Sequence, residues 1–241
     1  MLVSHRKEFI YTKTVKTAGT SVESYFEKYC MPEGEWSEEH SRDVCVSDAG
    51  IIGFRGSNRP KEIEWFHHMP ASRIKDQIGD EIWNRYFKFC VIRDPFDKAV
   101  SAFYHFKKAR EAGGADARKK TLKQKISEFF SPPVKFNSVA EEFEHWLSEG
   151  NMGVDRDKYT IDGEFCVDYV IRYEALSEGL QEVCEKIGIE YEPDRLPTFK
   201  KGMRDEKVGL YDIYTPKAIE IVSDVFAYEL EKFGYEPPKL N

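Results

Sequence analysis

The run Phe87-Lys88-Phe89-Cys90-Val91-Ile92 is the most apolar strand-like stretch in the sequence. It is followed at once by Arg93-Asp94-Pro95 and a helical periodicity to about Lys108. An apolar run bounded by polar residues suits a strand covered on both faces, the character of a central parallel strand. Pro95 stands well in the first turn of the helix that follows. The same order recurs near the start: Glu8 to Thr12 is strand-like, Lys13 to Ser21 is polar, and Thr20 to Tyr29 carries Val22, Tyr25 and Phe26 at helical spacing. Two strand–loop–helix units predict an α/β chain of three layers, with a central, mostly parallel sheet flanked by helices. Ligands in such folds sit beyond the carboxyl ends of the strands. That places function in the two polar loops, Lys13 to Ser21 and Arg93 to Ser101.

The remaining pattern agrees. Val44 to Val46 and Ile51 to Phe54 read as short strands within a segment, 32–60, rich in Gly, Ser, Asp and Arg. Helices are predicted from Ser72 to about Ile78, from about Asp80 to Tyr86, around Val139 to Leu147, around Glu174 to Ile187 and from Pro216 to Phe233, the last ended by Gly234. Phe165 to Arg172 reads as one strand. With 241 residues, no repeat and no convincing linker, one domain over 1–241 is expected.

Charge and cysteine content narrow the function. A formal net charge of -7 argues against nucleic acid or an anionic membrane surface as partner, so an anionic ligand must be held by a local cluster. No apolar run of about 18 residues occurs, and Met1 to Lys7 is polar and lacks the form of a secretory signal. The expectation is a cytoplasmic protein without a transmembrane segment. Five cysteines at wide spacing, with no Cys-x-x-Cys, indicate neither a zinc site nor a disulfide framework, and no metal is implied.

The first loop, Lys13-Thr14-Val15-Lys16-Thr17-Ala18-Gly19-Thr20-Ser21, opens a helix with amides, hydroxyls and lysines. Helix amino termini and nests of amides attract phosphate or sulfate, and Lys16 adds a full charge. A Walker A loop needs Gly-x-x-x-x-Gly-Lys-Ser/Thr; here the lysine precedes the only glycine, which weakens an ATPase or GTPase reading. In the second loop Arg93 can clamp a phosphate bidentately, and Ser101, two helical turns on, can donate to the same group. The competing structural reading pairs Arg93 with Asp97 and leaves Ser101 as an ordinary helix-surface residue.

Taken together, Lys16-Thr17-Ala18-Gly19-Thr20-Ser21 and Arg93-Asp94-Pro95 through Ser101 resemble the two nucleotide-binding elements of sulfotransferases that use 3'-phosphoadenosine-5'-phosphosulfate (PAPS). The likeness is to the carbohydrate, heparan 2-O-sulfotransferase-like and bacterial branch. It extends through Trp83 to Tyr104, Arg172-Tyr173-Glu174, and a tail with Tyr211, Tyr214 and Phe233-Gly234-Tyr235. Val15 stands where that family usually has proline.

The resemblance implies a P-loop-like fold and in-line sulfuryl transfer from PAPS to a hydroxyl of a carbohydrate or glycosylated small molecule, with 3',5'-ADP as product. It places Lys16 on the 5'-phosphate and bridging oxygen. Thr17, Ala18, Gly19, Thr20 and Ser21 bind the same end, and Arg93 and Ser101 the 3'-phosphate. Lys201 and Arg204 resemble a late basic loop over the nucleotide, although a solvated basic turn fits them equally. A histidine before the second loop serves as base in the heparan 2-O-sulfotransferase-like branch, and His68-Met69-Pro70-Ala71 matches that region. His68 is the first choice, with His67 or an acid such as Glu64 as alternatives. The basic run Lys107, Lys108, Arg110, Arg118, Lys119, Lys120, Lys123 and Lys125 reads first as a solvated face and second as an acceptor groove. A P-loop kinase, or a catalytically silent glycan-binding protein of the same fold, are the other readings; the sequence leaves oligomeric state open.

Overall fold

The computed structural model describes residues 1–57, 59–111, 135–197 and 212–240. In chain order the described elements begin with β1 (Leu2–Ser4), β2 (Phe9–Thr12), α1 (Gly19–Glu27), β3 (Cys45–Ser47), β4 (Gly50–Ile52), α2 (Ala71–Ile78), α3 (Asp80–Arg85) and β5 (Phe87–Ile92). Then come α4 (Pro95–Glu111), α5 (Val139–Ser148), β6 (Thr160–Ile161), β7 (Glu164–Phe165), β8 (Tyr169–Arg172), α6 (Leu176–Lys186), α7 (Pro216–Val225) and α8 (Ala227–Phe233). The chain forms two compact units: Met1–Arg93 with Asp155–Lys201, and Asp94–Val154 with Gly202–Asn241.

The first unit is the α/β unit. Its sheet has the order β3-β4-β1-β2-β5-β8. β2, β5 and β8 are parallel, with Phe9 opposite Phe87 and Phe89 opposite Tyr169; β1, β3 and β4 pair antiparallel. The sheet is therefore mixed, and the parallel part is the part that carries the two polar loops. Side chains two apart share a face. Leu2, Phe9, Tyr11, Phe89 and Val91 pack with Val22, Tyr25 and Phe26 of α1 and Leu180 and Val183 of α6. Met1, Val3 and Ile10 pack on the other face with Ile74 of α2 and Trp83 of α3. Helices thus cover both faces, as the strand–helix alternation requires.

Lys88 lies inside the apolar strand β5 and is buried. Its ammonium donates to the carbonyls of Trp83 and Tyr86, at 3.1 and 2.8 Å, and pairs with Asp168 at 2.8 Å, so the buried charge is satisfied. Several sequence expectations are corrected. Met1 to Lys7, polar overall, contains the buried strand β1, too short to show alternation. The stretch Phe165 to Arg172 is divided: Phe165 belongs to the β6–β7 hairpin, and only Tyr169–Arg172 joins the main sheet. The tail from Pro216 to Phe233 is two helices, separated at Phe226, whose φ of -110° and ψ of 24° leave the helical region.

The second unit is helical. Phe96, Phe103, Phe143, Leu147, Tyr214, Val222 and Phe226 form its core. Three of its described helices start on side-chain caps: Asp94 Oδ1 accepts from the Phe96 amide at 2.7 Å, Ser138 from Glu141 at 3.1 Å, and Thr215 from Ala218 at 3.0 Å; α8 has none.

Candidate active site

The Lys13–Ser21 loop leaves the carboxyl end of β2 and enters α1. Lys16 and Ala18 both adopt left-handed backbone, with φ of 62° and 55°. A non-glycine residue there costs about 1 kcal/mol or more. Left-handed residues alternating with ordinary ones turn successive N–H groups to one side, which is the geometry of an anion-binding nest. Ala18 is the N-cap of α1 and offers no side-chain cap, and no acid stands in the first turn. The positive end of the helix is therefore left to a ligand's charge.

The loop is held from several sides. The Thr14 hydroxyl donates to the carbonyl of Val91 in β5, and the Thr14 and Thr17 hydroxyls are hydrogen-bonded at 2.9 Å. Arg93, at the end of β5, donates from Nη1 to the Lys16 carbonyl at 2.8 Å. Its guanidinium stacks 4.2 Å from the ring centre of Tyr173, just past the end of β8. The ends of three neighbouring parallel strands thus meet at one place, each contributing to or steadying a cationic, amide-rich surface.

The histidine segment reaches this loop. Phe54 pairs with Phe66 in a parallel bridge, its amide donating to Trp65 and its carbonyl accepting from His67, both at 2.9 Å. Gly53 permits that approach, since a Cβ there would stand 2.9 Å from the Phe66 backbone. His68 has a φ of 56° and brings Nδ1 within 3.1 Å of the Lys13 carbonyl. A carbonyl only accepts, so Nδ1 carries the proton and Nε2 is the basic nitrogen. Burial, then the charges of Lys13 and His67, push His68 well below the usual histidine range. His67 is pushed down to about 4, by burial first and Lys13 second, and its Nδ1 is buried with no hydrogen-bond partner among the described residues.

Beneath the loop lies a buried charge network that the sequence reading missed. Lys13 pairs with Glu23 at 2.5 Å, Glu23 also meets Arg55 at 3.3 Å and the amino terminus at 2.5 Å, and Glu27 pairs with Arg55 and, at 2.9 Å, with Arg42. Glu23 and Glu27 lie four apart on α1, so one helix face presents both. The available signal was two acids on a short helix otherwise rich in aromatics, with basic residues 15 and 32 positions away along the chain.

Of the residues singled out from sequence, Lys16, Thr17, Ala18, Gly19, Thr20, Ser21, His68 and Arg93 all lie in the first unit, and the bonds above join His68, the loop and Arg93. Thr17 is fully buried with its hydroxyl turned to Thr14, which leaves its amide as the group for a ligand. Ser101 lies on α4 in the second unit. Lys201, Arg204 and Tyr211 lie outside the described residues, as do Arg118, Lys119, Lys120, Lys123 and Lys125. In the described part of the basic run, Lys107 and Arg110 both bind Glu142 at 2.5 Å, as a structural face does. All five cysteines are free thiols.

An amide nest, a lysine and an arginine stand at the carboxyl ends of parallel strands of an α/β unit, a set of groups whose chemistry suits a phosphate or sulfate, with a histidine bonded to the same loop. The chain matches the Sulfotransferase family from residue 1 to residue 236, and it belongs to that family. It is a sulfotransferase, an enzyme that transfers a sulfuryl group to a hydroxyl-bearing acceptor. It is also similar to an uncharacterized protein of Archaeoglobus fulgidus, 27% identical over 129 residues that cover 52% of this chain and 88% of that protein. No solved structure matches. Among the described residues no helix is long and apolar enough to cross a membrane.

Proposed function

We propose that this sulfotransferase takes its sulfuryl group from PAPS and delivers it to a carbohydrate hydroxyl, with Lys16 and His68 at the reacting atoms. The observation that carries the reading is the bond from His68 Nδ1 to the carbonyl of Lys13, three residues before Lys16. It ties the candidate base to the anion loop and fixes the tautomer that leaves Nε2 able to accept a proton. PAPS supplies the sulfuryl group, on a phosphate that leaves as 3',5'-ADP. The left-handed turns at Lys16 and Ala18 and the uncapped start of α1 fit its 5' end.

In this reading His68 Nε2 takes the proton of the acceptor hydroxyl as its oxygen attacks sulfur. Lys16 stabilises the charge that collects on the departing phosphate oxygen, and the amides from Thr17 to Ser21 hold the same group without reorganising. Arg93 binds the 3'-phosphate while its Nη1 keeps the Lys16 carbonyl in place. Ser101, Lys201 and Arg204 are assigned to the nucleotide on the resemblance alone. The family match runs through both compact units, which supports one functional domain over 1–241.

Calorimetric titration of 3',5'-ADP, 5'-AMP and ADP into the wild type and Arg93→Ala tests the donor site. A preference for 3',5'-ADP that disappears with Arg93 is expected; equal binding of the three nucleotides would refute PAPS as donor and favour a kinase. Turnover of PAPS with a panel of sugar acceptors then separates an enzyme from a silent glycan-binding protein, which would bind the sugar and transfer nothing.

A further inference from the structure

We propose that Asp155 is a positioning residue that holds the anion loop in its binding shape through the amide of Val15. The inference rests on the reading of that loop as the donor site. A loop with two non-glycine residues in left-handed conformation persists only where its surroundings over-determine it. Arg93 holds the Lys16 carbonyl and Thr14 holds Val91, but both act from β5. A further restraint comes from 140 residues further along the chain: the Val15 N–H donates to Asp155 Oδ2 at 2.6 Å.

The geometry around Asp155 separates this bond from an incidental one. Asp155 is buried, at 3% exposure. It stands at the N-cap of the short 3-10 turn Arg156–Lys158, where aspartate is among the favoured residues because its carboxylate caps the turn's own amides. Its side chain makes no such cap. The carboxylate reaches instead to the loop, while its backbone carbonyl accepts from the Lys158 amide at 3.0 Å and anchors it in the turn. At 2.6 Å the bond is short, as amide bonds to a carboxylate are, and an amide oxygen in the same place keeps a neutral form of it.

The sign of the charge gives the proposal its test. The negative charge of a carboxylate bonded to the loop opposes an incoming anion, so what Asp155 contributes to ligand binding is an acceptor oxygen and where it stands. Asp155→Asn keeps an acceptor oxygen and removes the charge, whereas Asp155→Leu has nearly the same shape and no acceptor. Affinity for 3',5'-ADP should be unchanged or tighter in Asp155→Asn. In Asp155→Leu and Asp155→Ala it should weaken about tenfold, the scale of one lost hydrogen bond to a charged group.

Hydrogen exchange at the Val15 amide reads the tether without any ligand. It should be slow in the wild type and in Asp155→Asn, and fast in Asp155→Leu. Wild-type affinity in Asp155→Leu, equal losses in Asp155→Asn and Asp155→Leu, or a Val15 amide that exchanges alike in all three would each overturn the proposal. Absence of 3',5'-ADP binding in the wild type, with the exchange pattern intact, would instead refute the donor reading and leave the tether standing.

Discussion

Gly19 begins α1 with its Cα against the side chain of Lys13. A Cβ added there would stand 2.8 Å from Lys13 Cε and 2.9 Å from Cγ. Carbon atoms in good contact are roughly 3.5–4.0 Å apart, so Lys13 must move in Gly19→Ala. It has little freedom to do so, being 3% exposed and bound to Glu23 at 2.5 Å. Overpacking of this kind costs about 1–3 kcal/mol. Alanine recovers less than about 1 kcal/mol of helix propensity at this first position. A net destabilisation of about 1–2 kcal/mol corresponds, for a chain of this size, to a fall in Tm of about 2–8 °C. Because the Lys13 carbonyl holds His68, the same shift should reduce turnover more than the loss of folded protein explains. Thermal unfolding and turnover of Gly19→Ala are to be measured beside Gly153→Ala, where an added Cβ meets nothing within 4 Å. Equal Tm and turnover in the two variants would refute the close-packing argument.

Glu23 is raised by burial but held below its ordinary 4.5 by Lys13, the amino terminus and Arg55. Its folded pKa thus lies below the unfolded one, so its stabilisation is full above pH 4.5 and is lost as pH falls beneath that value. Glu23→Gln should lower Tm at pH 7, by about 3 kcal/mol in stability for a broken buried ion pair, and flatten the acid limb of Tm against pH; an unchanged limb would count against the network. His68 is held well below 6.5, so kcat/KM should stay level through pH 6.5 and fall only at lower pH. His68→Ala should lower kcat about 10²- to 10⁴-fold while 3',5'-ADP still binds, and an acid limb centred at 6.5 or above would contradict a buried neutral base.

The strand Phe87–Ile92 was legible to the residue, because a central strand's apolar run is a local pattern ended sharply by Arg93. The loop from Lys13 to Ser21 and its helix were legible for the same reason: polar residues between a strand period and a helix period announce a turn at the end of a strand. The short strand β1 was not, since three residues carry too little alternation to stand out. Nor was the break at Phe226, where no glycine or proline marks the end of α7.

What the sequence determined by itself is the α/β order, the two polar loops at strand ends, and the residue types that suit an anion: Lys16, Arg93 and the small residues of the nest. What the tertiary structure decided is which distant groups those residues meet. His68 is bonded to a carbonyl 55 residues away and Val15 to a carboxylate 140 away. Glu23 and Glu27, polar residues on an amphipathic helix in the sequence, are buried against Lys13, Arg55 and Arg42. Periodicity reports only neighbours within a few turns or strand steps, whereas tautomer, pKa and loop strain depend on which distant groups the fold brings within about 3 Å.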